Sequence, residues 1–171
     1  MASSMHECRR IDHSFFQTAP ACYRATVEVR ASSEEIFDSF ENAEDWPIWA
    51  APITKVEWTS PKPFGVGTTR TVTMVGNMVG EEEFIAWERG SHMAFRFTRA
   101  SSAMIEAFGE DYQVVDLGNG TCSVTWTMAI ETGGMGRFTT PLSAPFMRLG
   151  LSWMLGRFKR HVEGRHVAAA A

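Results

Sequence analysis

The segment that most constrains the fold of this chain is Pro141–Glu163, PLSAPFMRLGLSWMLGRFKRHVE. Its length and its helical periodicity, at about 100° per residue, predict one long helix. Polar residues occupy one narrow face of that helix, and most of the remaining girth is apolar. The apolar residues are Leu142, Phe146, Met147, Leu149, Leu151, Trp153, Met154 and Phe158. Because so wide an apolar surface must be covered, the rest of the chain is expected to form a large concave partner.

The segments before this helix predict that the partner is a sheet. Alternating, β-rich runs are separated by turn residues, and Gly76-Asn77 and Gly118-Asn119-Gly120 are typical hairpin turns. We therefore expect strands two to seven to form an antiparallel meander, with a bulge at Gly109. The seven predicted strands are Tyr23–Arg30, Ile53–Trp58, Thr68–Val75, Gly80–Trp87, His92–Arg99, Ile105–Leu117 and Thr121–Thr132.

Two short helices are predicted after the first strand. Ser32 and Glu35 have the spacing of a capping box and open the first helix. Pro47 should interrupt that helix and start a second one. The predicted fold class is therefore α+β, with a seven-stranded curved antiparallel sheet wrapped around the long C-terminal helix and two short helices after the first strand.

The length of 171 residues favours a single domain. We place that domain at residues 22–164. Residues 1–21 are polar and irregular and predict a flexible N-terminal arm. Residues 165–171 are rich in alanine and predict a disordered tail, and Gly133–Gly136 predicts a flexible joint before the long helix.

Composition excludes several functional classes. The net charge of −4, without a basic stripe, argues against nucleic-acid binding. Three cysteines without paired spacing argue against a disulfide framework and fit a reducing compartment. With no signal-like start and no long apolar run, we expect a cytoplasmic protein.

Metal and cofactor sites are not expected either. His6, Cys8 and His13 match no standard ligand spacing. The sequence contains no phosphate-binding loop and no nucleophile motif. Any catalysis would therefore have to use acid–base chemistry and substrate positioning, without a metal or cofactor.

Six Trp, twelve Phe and ten Met are many for one sheet and one helix. They indicate either a densely filled core or a wide apolar cavity, and the sequence leaves both open. If a cavity exists, strand alternation and helix position predict which side chains contact a ligand. These are Met74, Phe95, Phe97, Tyr112, Trp126, Met128, Phe146, Trp153 and Arg157.

Polar side chains on inward faces are the catalytic candidates, because a buried charge must be paired or neutral. The residues selected are Tyr112, Glu83, Arg70 and His161, while Glu81, Glu110 and Arg157 are also predicted on inward faces. Glu83 points inward if Ile85 and Trp87 do, whereas the opposite parity would place Phe84 and Ala86 inside. A structural ion pair between Arg70 and Glu83 is an equally good reading. His161 and Arg157 also suit the cation-favouring end of a helix.

The order of elements resembles the helix-grip fold. Four stretches are similar to the polyketide cyclase/dehydrase and lipid-transport family of the START-like, birch-pollen-allergen-like (SRPBCC) superfamily. They are ATVEVRASSEEIFDSFENAEDWPIWA, the Val66-Gly67-Thr68 strand opening, FIAWERGSHMAFRF and GNGTCSVTWTMAI, within Tyr23–Glu163. The resemblance implies the fold and leaves the activity open among carriers, receptors, cyclases and dehydratases, since fold does not fix function.

The functional hypothesis is therefore binding of a hydrophobic or aromatic small molecule, of the polyketide, lipid or isoprenoid class, between sheet and helix. The alternative is a polyketide cyclase or dehydratase that works in the same cavity. Membrane contact is a weaker hypothesis, because the polar face of the helix is only modestly basic. We expect a monomer or a homodimer.

Overall fold

The computed structural model describes the backbone of residues 4–134 and 136–169, and the side chains of residues 4–134 and 145–165. The described residues form eight strands and four α-helices. In chain order they are β1 (His6–Glu7), α1 (Phe15–Thr18), β2 (Ala21–Val29), α2 (Ser33–Glu41), α3 (Trp46–Trp49), β3 (Ile53–Trp58), β4 (Thr69–Met74), β5 (Met78–Glu88), β6 (His92–Ala100), β7 (Ile105–Gly118), β8 (Thr121–Thr132) and α4 (Gly136–Ala169).

The sheet is a curved antiparallel half-barrel. Its strand order is β2-β8-β7-β6-β5-β4-β3, so every neighbour after the β2–β8 pair is a hairpin partner. The predicted fold class is confirmed. The two-residue strand β1, which the sequence did not predict, pairs with β6.

Helix α4 lies on the concave face of the sheet and, over residues 145–165, whose side chains the structure describes, buries one stripe. That stripe consists of Leu151, Leu155, Phe158 and Val162, each at most 3% exposed. The prediction that the helix is covered around most of its girth is wrong, because Phe146, Leu149 and Trp153 are exposed. The sheet therefore contacts a narrower face of the helix than the apolar pattern indicated.

Helices α2 and α3 close one end of the concave space. The predicted capping box is present, with the Ser32 amide donating to the Glu35 carboxylate at 2.8 Å. Trp46 and Trp49 in α3 are buried, and the Trp49 ring packs 5.1 Å from the Phe158 ring of α4. These aromatic contacts join the short helices to the long one.

The N-terminal segment, residues 6–18, packs against the sheet: residues 6–9 pair with β6 and β7, and residues 11–16 lie on the convex face. The Cys8 amide donates to the Thr98 carbonyl at 2.9 Å, and Ile11, Phe15 and Phe16 are buried against alanines of the sheet. The predicted flexible arm is therefore wrong for these residues. This second apolar layer could not be predicted from the sequence pattern, because the alanines that contact it are small and form no conspicuous apolar stripe.

Gly109 makes room for this segment and does not form the predicted bulge. Strand β7 keeps its register there and shifts only near its two ends. A Cβ atom at Gly109 would lie 2.6 Å from Ile11 Cδ1 and 2.9 Å from the Phe95 carbonyl oxygen. Glycine is required because the segment sits so close to the strand.

Helix α4 is longer at both ends than predicted. It begins at Gly136 and continues to Ala169, so the predicted disordered tail is wrong for residues 165–169, while residues 170–171 lie outside the described part. Residue 135 of the predicted joint is also outside it. Among the described residues, no helix is both long and apolar enough to cross a membrane.

Candidate functional site

A cavity of about 170 Å³ lies between the concave face of the sheet and helix α4. Its wall is almost entirely apolar. Strands β3–β8, helix α3 and helix α4 all contribute to it. The lining residues are Trp46, Ala50, Pro52, Ile53, Val72, Met74, Glu82, Phe95, Phe97, Phe108, Glu110, Tyr112, Trp126, Met128, Met147, Leu151 and Met154.

Six of the nine residues predicted to contact a ligand line this cavity. They project inward because each strand alternates as the sequence pattern indicated. Their role toward a ligand stays a prediction. The six are Met74, Phe95, Phe97, Tyr112, Trp126 and Met128.

The other three predicted contact residues, all on α4, lie outside the cavity. Phe146 is 77% exposed and Trp153 is 51% exposed. Arg157 donates from Nε to the Ile48 carbonyl at 3.1 Å and lies over the Trp153 ring. The helix is rotated so that Met147, Leu151 and Met154 face the cavity instead.

Tyr112 and Glu110 form the polar end of the cavity. Both belong to the inward face of β7, and Tyr112 is fully buried. The Tyr112 hydroxyl donates to Glu110 Oε2 at 2.7 Å. The Trp126 ring stacks on the Tyr112 ring with 5.5 Å between centroids. The indole N–H of Trp126 is buried near the Glu110 carboxyl, but the two groups are not aligned for a hydrogen bond.

Burial raises the pKa of Glu110 to about 8, although the Tyr112 hydrogen bond opposes the shift. Burial, together with the neighbouring Glu110, also raises the pKa of Tyr112 well above its ordinary value. At neutral pH the pair is therefore mostly a carboxylic acid beside a phenol. Because the phenol already donates to Glu110, the pair offers one O–H donor, that of the acid, inside an apolar space where a hydrogen bond to a ligand is strong.

Arg70 lies behind the cavity wall and holds Glu82, which lines the cavity. Arg70 Nε donates to Glu82, and the guanidinium carbon lies 4.0 Å from the Trp46 ring centroid. The rings of Phe95, Phe84 and Trp58 surround it at 4.7–5.3 Å. Its two terminal nitrogens are buried and have no hydrogen-bond partner among the described residues. Cation–π contacts with these rings therefore replace part of the lost hydration.

Glu83 is on the opposite face of the sheet from the cavity, so its predicted position is wrong. It pairs with Arg96 on the convex face. A two-residue turn at Gly76-Asn77 would have placed Glu83 opposite Arg70. The turn instead has three residues, Val75–Asn77, and the register places Glu82 there.

His161 also lies away from the cavity. Its Nε2 is 3.0 Å from Asp45 Oδ2, and the same carboxylate accepts a hydrogen bond from Ser39 at 2.7 Å. Asp45 is buried between α2 and α3. His161 therefore attaches the last turns of α4 to the short helices, and its predicted catalytic position is wrong.

The sequence interpretation missed Glu82 and gave Glu110 no role, although Glu110 was predicted to point inward. For Glu82, the available signal was the inward Arg70, which needs a charged partner directly across the hairpin. For Glu110, the signal was its position two residues before Tyr112 on the same face of one strand. The signal for Glu82 depends on the hairpin register, which the turn length sets, whereas the signal for Glu110 needs only strand alternation.

Solved structures of other proteins share this fold. A START superfamily protein from Mycobacterium smegmatis has a TM-score of 0.62 at 17% identity, covering 85% of this chain and 96% of that one. TTHA0849 from Thermus thermophilus has a TM-score of 0.68 at 15% identity, covering 88% and 99%. The ZhuI aromatase/cyclase from Streptomyces sp. R1128 has a TM-score of 0.63 at 12% identity, covering 88% and 95%.

Sequence relatives cover nearly the whole chain. The uncharacterized protein Rv2574 of Mycobacterium tuberculosis is 44% identical over 165 residues, which are 96% of this chain and 98% of the relative. The uncharacterized protein Mb2604 of Mycobacterium bovis matches to the same extent. Residues 20–163 match the family described as polyketide cyclase/dehydrase and lipid transport. The helix on the concave face of the sheet and the apolar cavity between them agree with this match. The chain therefore belongs to the polyketide cyclase/dehydrase and lipid-transport family.

Proposed function

We propose that the protein binds a hydrophobic or aromatic small molecule that carries one hydrogen-bonding group, such as a carbonyl. The observation that carries this proposal is an apolar cavity with the Glu110–Tyr112 pair at one end. An apolar ring or chain would fill the cavity. Its oxygen would accept a hydrogen bond from the neutral acid of Glu110.

The size of the cavity favours a ligand of about one ring. A cavity of about 150 Å³ is large enough to bind benzene, whereas drug-sized ligands occupy pockets of about 300–1,000 Å³. At about 170 Å³ this cavity is close to the first value. A longer polyketide or lipid would have to displace the part of α4 that carries Met147, Leu151 and Met154.

Benzaldehyde and toluene are suitable test probes, because they have the same ring and differ in the carbonyl. We expect benzaldehyde to quench the buried tryptophan fluorescence and to bind about tenfold more tightly than toluene, which corresponds to one net hydrogen bond. Tyr112→Phe with Glu110→Leu should remove that preference and keep toluene binding. Failure of both probes to bind, or equal affinity for both, would argue against the proposal.

A second candidate function is cyclisation or dehydration of a short polyketone in the same cavity. It is favoured by Glu110, whose pKa of about 8 suits proton transfer near neutral pH. The neutral acid could protonate a ketone oxygen and, once ionised, take a proton from a neighbouring carbon. Both the family description and the aromatase/cyclase with the same fold are compatible with this chemistry.

A synthetic β-polyketone thioester would distinguish the two functions. For an enzyme, wild-type protein should convert it, and Glu110→Gln should lose turnover by at least about a hundredfold, the lower range for a general acid or base. Benzaldehyde affinity should change much less in the same variant. If the wild type binds benzaldehyde but converts no polyketone, the binding function stands alone.

A further inference from the structure

Three metal-ligating side chains converge on the convex face of the sheet, on the side away from the cavity. They are His13 of the N-terminal segment, His92 of β6 and Asp111 of β7. One ligand atom from each lies within 4.8 Å of the other two. His92 Nε2 is 2.7 Å from Asp111 Oδ2, and the two imidazole rings are 5.5 Å apart.

The sheet register brings His92 and Asp111 together. Ala94 lies opposite Asp111 in the β6–β7 ladder, so His92, two residues earlier, is the diagonal neighbour of Asp111 on the same face. Diagonal neighbours are within reach of long or aromatic side chains. Asp111 is buried, and His92 is half-buried. The sheet therefore supplies two of the three groups in fixed positions.

The packing of the N-terminal segment supplies the third group. Ile11 and Phe16, on either side of His13 in the chain, both pack against Gly109. The Asp12 carboxylate accepts hydrogen bonds from the Ser14 amide at 2.9 Å and from the Ser14 hydroxyl at 2.6 Å. These contacts fix the turn that carries His13 above the two sheet residues.

We propose that His13, His92 and Asp111 bind a divalent first-row transition-metal ion, with Zn²⁺ as the ion to test. Two imidazoles and one carboxylate are donors that Zn²⁺ accepts, and a set of three protein ligands leaves one position for water. The ion would join the N-terminal segment to β6 and β7. It would also neutralise the buried carboxylate of Asp111.

Binding of Zn²⁺ requires side-chain movements of about 1 Å. Zn²⁺ binds nitrogen and oxygen at about 2.0–2.2 Å, so in a tetrahedral site two of its ligand atoms lie about 3.3–3.6 Å apart. The widest separation in the cluster is at most 4.8 Å. His13 is exposed and has room to turn toward the other two groups, and the 2.7 Å contact between His92 and Asp111 would open slightly to admit the ion.

The experiment uses the full chain, stripped of metal with a chelator and titrated with ZnCl₂ by calorimetry. We expect one equivalent to bind, and His13→Ala and His92→Ala to weaken binding at least tenfold, since even losing an outer-shell partner costs about 10–100-fold. His6→Ala is the matched control, because His6 is also exposed and lies outside the cluster. It should bind as the wild type does.

Hydrogen exchange gives an independent readout. Zn²⁺ should slow exchange at residues 8–18 of the wild type and leave that of His13→Ala unchanged. Because His13 is exposed, this variant should fold even if a change at Asp111 does not. Absence of Zn²⁺ binding by the wild type, or equal binding and protection in His13→Ala, would overturn the proposal and leave a plain His92–Asp111 hydrogen bond.

Discussion

At the scale of single residues, two carboxyls give the cavity its chemical character. Glu110 is neutral at pH 7 because burial raises its pKa and Tyr112 satisfies only one of its oxygens. The pKa of Glu82 is also raised by burial, but Arg70 opposes that shift. One acid therefore works as a donor, and the other forms an ion pair with a cation enclosed by aromatic rings.

The titration of Glu110 predicts a pH-dependent stability. Its folded pKa of about 8 is above the ordinary glutamate value of 4.5. The folded protein therefore holds the proton more tightly than the unfolded chain, and the stabilising contribution is lost as pH rises from about 5 to 8. The loss is at most about 1.4 kcal/mol per pH unit.

Urea unfolding of the wild type and Glu110→Gln at pH 5, 6, 7 and 8 measures this effect. The glutamine keeps an acceptor for Tyr112 and cannot ionise. We expect the free energy of unfolding of the wild type to fall relative to the variant with each step. Parallel pH profiles for the two proteins would contradict the assigned protonation state.

The Arg70–Glu82 pair predicts a second residue-scale outcome. Arg70→Met leaves the Glu82 carboxylate buried without a partner, so we expect a loss of about 3–5 kcal/mol in the free energy of unfolding. Arg70→Met with Glu82→Leu should recover most of that loss. Denaturant unfolding measures both variants.

The control for this pair is Arg99→Met. Arg99 pairs with Glu81 on the convex face, and both side chains are about 40% exposed. An exposed pair contributes only about 0–1 kcal/mol. A loss in Arg70→Met no larger than in Arg99→Met would show that the buried pair has no special energetic role.

At the scale of elements, the two faces of β7 contact different parts of the molecule. Its concave face carries Glu110 and Tyr112, and its convex face receives the N-terminal segment at Gly109. A side chain at position 109 would contact both Ile11 and the Phe95 backbone, and the backbone cannot move aside. Strand β7 therefore tolerates almost no added volume at this residue.

Gly109→Ala is expected to destabilise the protein by about 1–3 kcal/mol through overpacking. It should also raise hydrogen exchange at residues 8–18, because Ile11 is pushed off the strand. Gly65→Ala is the control, since a Cβ atom there would meet nothing within 4 Å and the φ angle is not positive. Equal stability of the two variants would contradict the tight packing.

Strand and helix patterns sufficed to predict the elements from β2 to α4, their order and most of the inward residues of β6, β7 and β8. What they could not predict depends on single-residue offsets. The turn Val75–Asn77 has one residue more than predicted, so Glu82, and not Glu83, lies opposite Arg70. A helix that is apolar on several sides does not specify which side faces the sheet. The cavity-facing residues of α4 were therefore predicted wrongly: Met147, Leu151 and Met154 line the cavity instead of Phe146 and Trp153.

At the scale of the whole molecule, the sheet is packed on both faces. On the concave face, α4 encloses the cavity, and on the convex face the N-terminal segment forms a second small core. The N-terminal segment could not be anticipated from its own polar sequence. The position of this segment depends on the alanines and Gly109, which lie side by side on the convex face only once the sheet has formed.

The central claim is that the space between the sheet and α4 holds a small apolar molecule. Native mass spectrometry of freshly purified protein tests it most directly, with the cavity-filling variant Met147→Trp/Met154→Trp beside it. Leu149→Trp/Ser152→Trp is the matched control, because both of its positions are exposed on the same helix. Circular dichroism would establish that all three proteins are folded.

We predict that the wild type and the Leu149→Trp/Ser152→Trp control bind benzaldehyde as a one-to-one adduct. Folded Met147→Trp/Met154→Trp should lose the adduct, since the added rings occupy the cavity. An adduct of equal abundance in all three proteins would place the ligand elsewhere. Absence of an adduct in the wild type would contradict a binding cavity between sheet and helix.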